Sequence, residues 1–274
     1  MAPQLSPETV SARRALLDAL AALEAHLGSV ILVGAQAVYL RTGAAAVAIA
    51  EYTTDADLAL DARTLSAEPH VEEAMSAAGF VRDPSNDNPG AWVSCEGIPV
   101  DLMVPNAIAG SGRRGVTAPP HDRGSMRRTR GLEAALVDCE ERDIASLEPE
   151  DRRRFTIRVA GAAALLVAKL HKVGERQGNL RRLDDKDAHD IYRLLVASDT
   201  ERLAATLRML MSDDVAGEVT RAALDYLDEL FAAGRDALGS GMAGRAEEGI
   251  GDPAQTALAV SLLSSDLLAA LRSA

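Results

Sequence analysis

Two aspartates two positions apart, Asp55 and Asp57 in TTDADLALD, lie just before and at the start of a short stretch, Asp57 to Asp61, that alternates like a strand. Side chains two apart on a strand point the same way, so both carboxylates would leave one face and could share a cation. Asp101, in IPVDLMVP, is bracketed by apolar residues that would face a core. Its own carboxylate would turn the other way, where a neighbouring strand could bring it beside the first pair. Three converging carboxylates suit hard Mg2+, and two such ions can steady both the attacking and the leaving oxygen of an in-line displacement. Against this stands the commoner fate of a lone DxD, a solvated strand end. The pair therefore needs support from its surroundings.

That support lies on both sides. About twenty residues upstream, Val33-Gly34-Ala35-Gln36 ends one apolar run and opens a small-residue helix, AQAVYLRTG. A glycine there lets backbone approach a phosphate, and a helix N-terminus offers free N–H groups. A glycine needed only for the turn is the bland alternative. Downstream, Lys169, Lys172 and Arg176 share one helical face beside the apolar AALLVA, placing cations at the edge of a core where a triphosphate could meet them. Asp187 and Asp190 share another helical face; Lys186 could pair with Asp190, and Asp187 is the better functional candidate of the two. His171 and His189 have no third partner at ligand spacing and read as surface or helix-packing residues. Neither a GxSxG elbow nor a GxxxxGK[ST] loop occurs.

The elements that must position these residues follow from punctuation and period. Ser6, Pro7 and Glu8 start a helix that ends near Gly28. Ser29 to Val33 reads as a buried strand. After the aspartate pair come a helix around 67–78, strands over 91–95 and 98–104, and a long loop over 105–130. Apolar stretches near 132–137 and 155–159 would finish the sheet. Beyond Gly161 the pattern is helical, and the glycine-rich 239–252 reads as a mobile connection before a last helix. A soft boundary near 160 divides residues 1–160, carrying the carboxylates, from a helical region, 161–274, that would complete the site.

Composition bounds the rest. The 274 residues are 47% hydrophobic and 26% charged, enough for a full core. The chain opens without a basic segment followed by an apolar run, and no stretch reaches about 18 unbroken apolar residues, so a cytoplasmic location is expected and no membrane partner. Cys95 and Cys139 lack the paired spacing of a zinc site or disulfide framework. The net charge of -12 is unevenly spread. Residues 111–130 hold six arginines against the single acid Asp122, and residues 151–182 hold nine basic residues against two acids. From 183 onward acids outnumber basic residues 17 to 8. An acidic chain with a basic middle keeps a local polyanion site in play, and Arg113, Arg114, Arg127 and Arg128 are its candidate contacts.

Taken together, VGAQAVYLRTG, TTDADLALD, PVDLMVP, AKLHKVGER and DKDAHDIYRLL resemble the nucleotidyltransferases of the DNA polymerase beta superfamily related to the AbiEii-like and MenT-like toxins of bacterial toxin-antitoxin systems. The likeness spans roughly residues 29–197. It implies an α+β nucleotidyltransferase fold, a mixed sheet flanked by helices with a helical C-terminal region. It also implies a phosphate-binding turn at Gly34 and Ala35, Mg2+ held by Asp55, Asp57 and Asp101, and nucleotide contacts from Lys169, Lys172 or Arg176. For the toxin members it implies transfer of a nucleotide from an NTP to the 3' end of tRNA, with a cognate antitoxin as a candidate partner. Ala35 departs from the family's second small polar or glycine residue and removes a hydroxyl, leaving the backbone N–H groups.

The resulting expectation is an Mg2+- and NTP-dependent transferase acting on RNA, with Asp101 deprotonating or orienting the attacking hydroxyl and Lys169 among the catalytic set. Two rivals remain: a transferase for a small drug or metabolite hydroxyl, and a silent nucleotide- or protein-binding module that keeps the fold. An extended arginine-rich loop favours the polyanion over the small substrate. The intact acid set argues against the silent module.

Overall fold

Four aliphatic residues in a row, Val30 to Val33, form β1 (Val30–Val33), which is buried along its whole length. An unbroken apolar run of this length is what a central strand with cover on both faces requires. In the computed structural model, which describes residues 6–43, 45, 47, 52–85, 87–179 and 183–273, β1 lies inside an eight-stranded mixed sheet. Arg181 and Arg182, counted above in the basic middle, lie outside the described residues.

The other strands are β2 (Ala56–Leu60), β3 (Val81–Arg82), β4 (Ala91–Val93), β5 (Pro99–Pro105), β6 (Arg127–Thr129), β7 (Cys139–Ala145) and β8 (Arg154–Ala160). Their order is β3-β4-β5-β2-β1-β8-β7, with β6 also paired to β5. β1 runs antiparallel to β2 and parallel to β8, while β2 runs parallel to β5. With β2 along one edge of β5, β4 takes the first half of its other edge and β6 the second half.

Helix α1 (Pro7–Ala22) starts as its sequence predicts, with Ser6 capping the Thr9 N–H and proline in the first turn. It lies across β2, β5 and β8. Helix α2 (Gly34–Thr42) follows β1 directly, and α3 (Val71–Ala77) packs on α1. After β8 the described residues form only helices: α4 (Ala162–Gly174), α5 (Asp185–Ala197), α6 (Thr200–Met211), α7 (Gly217–Leu227), α8 (Leu238–Arg245) and α9 (Pro253–Arg272). Both α4 and α5 reach back to α2, so the helical region packs against the helix that follows β1.

The mixed sheet flanked by helices and the helical C-terminal region are as expected. Four local readings change. The stretch 105–130 is not all loop, because β6 joins the sheet there. Residues 132–137 form no strand: Glu133–Leu136 is a short 3-10 turn. The outermost strand is instead β7, whose CEERDIA carries charges on both faces. An edge strand needs a partner on one side only and no buried face, so its sequence shows no alternation.

The glycine-rich 239–252 contains α8, not only a connection. A side chain at Gly239 would fall 2.4 Å from Phe231, so the small residue permits helix packing here rather than flexibility. By length and composition α9 could cross a membrane, at mean hydropathy 1.4. It packs against α5, α6 and α8 with Val260, Leu267 and Leu268 buried, as a core helix does.

Candidate active site

Sheet register brings the sequence candidates together. Val33 pairs with Asp57, and Asp57 pairs with Asp101, so the end of β1 and both carboxylate-bearing strands meet side by side. Gly34, the residue after Val33, has a φ of 68°. A Cβ there would lie 2.0 Å from the Asp57 Oδ2, so turn and carboxylate are in contact through the space that glycine leaves. Only glycine combines that φ with that approach.

Asp55 sits just ahead of β2 rather than in it. Its carboxylate accepts from Thr53 Oγ1 at 2.8 Å, and its backbone oxygen accepts from Gln36 Nε2 at 3.0 Å. Asp101 accepts from Arg127 at 2.7 Å. All three aspartates are half-buried, and Asp57 feels the charges of the other two. Burial first, then the charges of Asp55 and Asp101, push Asp57 up to about 7, against the opposing pull of Lys172 and Lys169. Burial also raises Asp101, and Arg127 works against it.

These groups form the floor of a cleft of about 720 Å3. Its walls are basic. Arg113, Arg114, Arg127, Arg128 and Arg130 line it from the 111–130 stretch, and Lys169, Lys172 and Arg176 line it from α4 and the residues just beyond. The arginine-rich stretch thus folds over the carboxylates instead of extending elsewhere, because β6 pairs with the second half of β5. Arg128 is spent in part on the backbone oxygens of Ala109 and Gly110, while Arg113 and Arg114 are exposed.

The α4 cations are less free than their spacing suggests. Lys169 is 6% exposed and lies 2.8 Å from Asp187 and 2.6 Å from Asp190. Burial would lower its pKa, but Asp190 and Asp187 together hold it well above the ordinary lysine value. Lys172 meets Asp187 at 2.9 Å and Arg176 meets it at 3.6 Å. Burial opposes the charge on Asp187, yet Lys169 and Lys172 keep it well below the usual carboxylate range. Asp187 is buried and does not line the cleft; it anchors the cations that do. The pairing of Lys186 with Asp190 does not form, since Lys169 takes that acid and Lys186 lies over the Tyr52 ring.

Ala35 is also buried and outside the cleft wall, leaving Gly34 as the residue of the turn that faces it. His171 and His189 pack between helices: His171 Nε2 lies 2.8 Å from the Val219 oxygen, and His189 Nε2 lies 3.0 Å from Glu247. Cys95 and Cys139 are free. Sequence reasoning missed Gln36, Thr53 and Arg130. A signal for Gln36 was present, a long polar side chain among the small and apolar residues that begin α2.

The residues fit a divalent cation by charge. At Asp57 burial and the two neighbouring acids outweigh the pull of Lys172 and Lys169, so a further positive charge would be favourable there, and three carboxylates are hard oxygen donors. Among the described residues no three acidic, histidine or cysteine side chains stand ready around one point, as mutual repulsion and the Arg127 contact lead one to expect. Loading would set the cation in competition with Arg127 for the charge of Asp101.

No family model matches the chain, and no curated protein matches it. Among solved structures, it is similar to an antigenic nucleotidyltransferase-like protein from Paracoccidioides brasiliensis, at 15% identity and a TM-score of 0.39 over 77% of this chain and 93% of that one.

Proposed function

We propose that the chain is a metal-dependent nucleotidyltransferase, with Asp55, Asp57 and Asp101 as metal ligands and an NTP as donor. The observation that carries this reading is the register Val33–Asp57–Asp101 beside Gly34, which sets two carboxylates side by side, with Asp55 two residues before the first and a glycine turn against it, in the lining of a basic cleft. The fold is compatible with it. Bound Mg2+ ions would neutralise the charge developing on the phosphates.

The chain's own residues would divide the remaining work. Lys172 and Arg176, with Lys169 behind them, offer the triphosphate positive charge from α4. Asp101, raised by burial, is suited to accept or orient the proton of an attacking hydroxyl. The hydroxyl oxygen would bond the α-phosphorus as the bond to the pyrophosphate oxygen breaks, with pyrophosphate leaving.

For the acceptor we favour RNA, and within it the 3' end of tRNA, with a toxin role, a cytoplasmic setting and a cognate antitoxin. Arg113, Arg114, Arg128 and Arg130 support the RNA part, since a lone NTP does not call for so many cations along one wall. Incubation with Mg2+, each labelled NTP in turn and total RNA tests it. Label in RNA with release of pyrophosphate is expected. Label on a small hydroxyl compound instead would replace RNA as acceptor, and no transfer with any NTP would overturn the activity.

A further inference from the structure

Asp55 poses a mechanical problem. It precedes β2, so no ladder hydrogen bond of that strand holds it, and the connection before it runs from the end of α2. Yet a metal ligand must be held to within a fraction of an ångström. Two buried polar side chains supply the restraint.

Gln36, 4% exposed, is the third residue of α2. Its Nε2 donates to the Asp55 oxygen at 3.0 Å and to the Ala12 oxygen at 3.1 Å, while its Oε1 accepts from Arg13 Nε at 2.9 Å. Two carbonyls on one end and a guanidinium on the other allow the amide a single orientation. Arg13 in turn donates to the Ala145 oxygen on β7. Thr53 is fully buried; its hydroxyl donates to the Asp55 Oδ1 at 2.8 Å, and its N–H is held by Thr9 on α1. One side chain thus restrains the Asp55 backbone and the other aims its carboxylate. Both lead back to α1, and Gln36 shares its helix with Gly34.

We infer that Gln36 and Thr53 are positioning residues, which set Asp55 for metal binding and tie its place to the phosphate-turn helix. The inference rests on the reading of Asp55 as a metal ligand. Polar groups bonded to a metal ligand are worth about 10- to 100-fold in metal affinity, whereas a structural role alone would lower the melting temperature and leave affinity intact.

The test uses Gln36→Met, which keeps volume and loses all three hydrogen bonds, and Thr53→Val, which loses only the hydroxyl. Mn2+ binding to the whole protein is measured by calorimetry well below the melting temperature, and nucleotide binding is measured in excess chelator. Each variant is expected to weaken Mn2+ by about tenfold or more with metal-free nucleotide affinity unchanged. Leu207→Ala, a core truncation in the helical region, should lower the melting temperature without moving Mn2+ affinity. Wild-type Mn2+ affinity in every variant that folds overturns the positioning role alone, and Thr53→Val decides if Gln36→Met does not fold. Failure of the wild-type protein itself to bind Mn2+ overturns the metal-site reading and this role together.

Discussion

Arg127 donates to the Asp101 carboxylate at 2.7 Å, so the third acid of the site is held by a cation the chain itself supplies. The two residues come from β6 and β5, paired so that Arg127 stands beside Met103, two residues along from Asp101. A metal at Asp101 would share the carboxylate with that contact and compete with it for charge.

Replacing Arg127 with Gln should therefore tighten divalent cation binding in the absence of nucleotide. Both side chains are about a quarter exposed, which limits the gain to about fivefold, the worth of a partly solvated ion pair. Calorimetry with Mn2+ checks it. Arg128→Gln, which removes a nearby charge that bonds only backbone oxygens among its described partners, separates the specific contact from the general field; an equal gain there would remove Arg127's special place.

Asp57 makes stability depend on pH. Its folded pKa of about 7 lies above the ordinary 3.8, so between those values the folded state keeps a proton that the unfolded chain releases. The metal-free protein should lose stability from this group as pH rises from about 4 to about 7, with the full penalty present above that. Asp57→Asn removes the penalty. Its melting temperature should exceed wild type most at pH 8, by an amount equivalent to at most about 4 kcal/mol, and the gap should close toward pH 4. Nucleotide transfer should be abolished. A gap that widens on acidification would reverse the assigned electrostatics.

Lys169 and Lys172 should part company on mutation. Lys169→Ala strands Asp187 and Asp190 in the interior, and breaking a buried pair of this kind costs about 3–5 kcal/mol, so denaturant unfolding should show a large loss. Lys172 is 40% exposed, and Lys169 remains to hold Asp187 when it is removed. Lys172→Ala should weaken NTP binding about tenfold, near the worth of one charge-assisted contact, with little change in the denaturation midpoint. Calorimetric titration with NTP and parallel unfolding curves distinguish the two.

The arginine wall gives a test that depends on salt. Neutralising Arg113, Arg114 and Arg128 together should reduce RNA affinity and flatten its logarithmic salt slope by up to about 2, at about 0.7 per lost phosphate contact on a single strand. Filter binding over a salt series measures both. An unchanged slope would detach this stretch from the acceptor.

Much of the sheet was legible because buried strands announce themselves locally. VILV reads as β1 and PVDLMVP as β5 without any knowledge of their neighbours. What escaped was structure whose signal lies in the partner. β7 is an edge strand with no apolar face, and α8 is a helix in which Gly239 serves a close approach to Phe231 and Gly244 one to Pro253, so its composition reads as a linker.

The site divides along the same line. A spacing of two in extended chain places Asp55 and Asp57 near each other although Asp55 stands just outside β2, and a spacing of three does the same for Lys169 and Lys172 on α4. Those groupings, and the glycine at the end of β1, belong to the sequence by itself. Register was not in it: Asp57 lies opposite Asp101 only because β2 and β5 pair in parallel at that offset, and a shift of one residue would turn Asp101 to the other face. The tertiary structure alone decided that Arg127 would hold Asp101, that Asp187 and Asp190 would surround Lys169, and that Gln36 would reach Asp55. Each joins residues 18 to 26 positions apart, beyond the reach of local geometry; burial makes a partner necessary for Lys169 and Gln36, and strand pairing brings Arg127 to the half-buried Asp101.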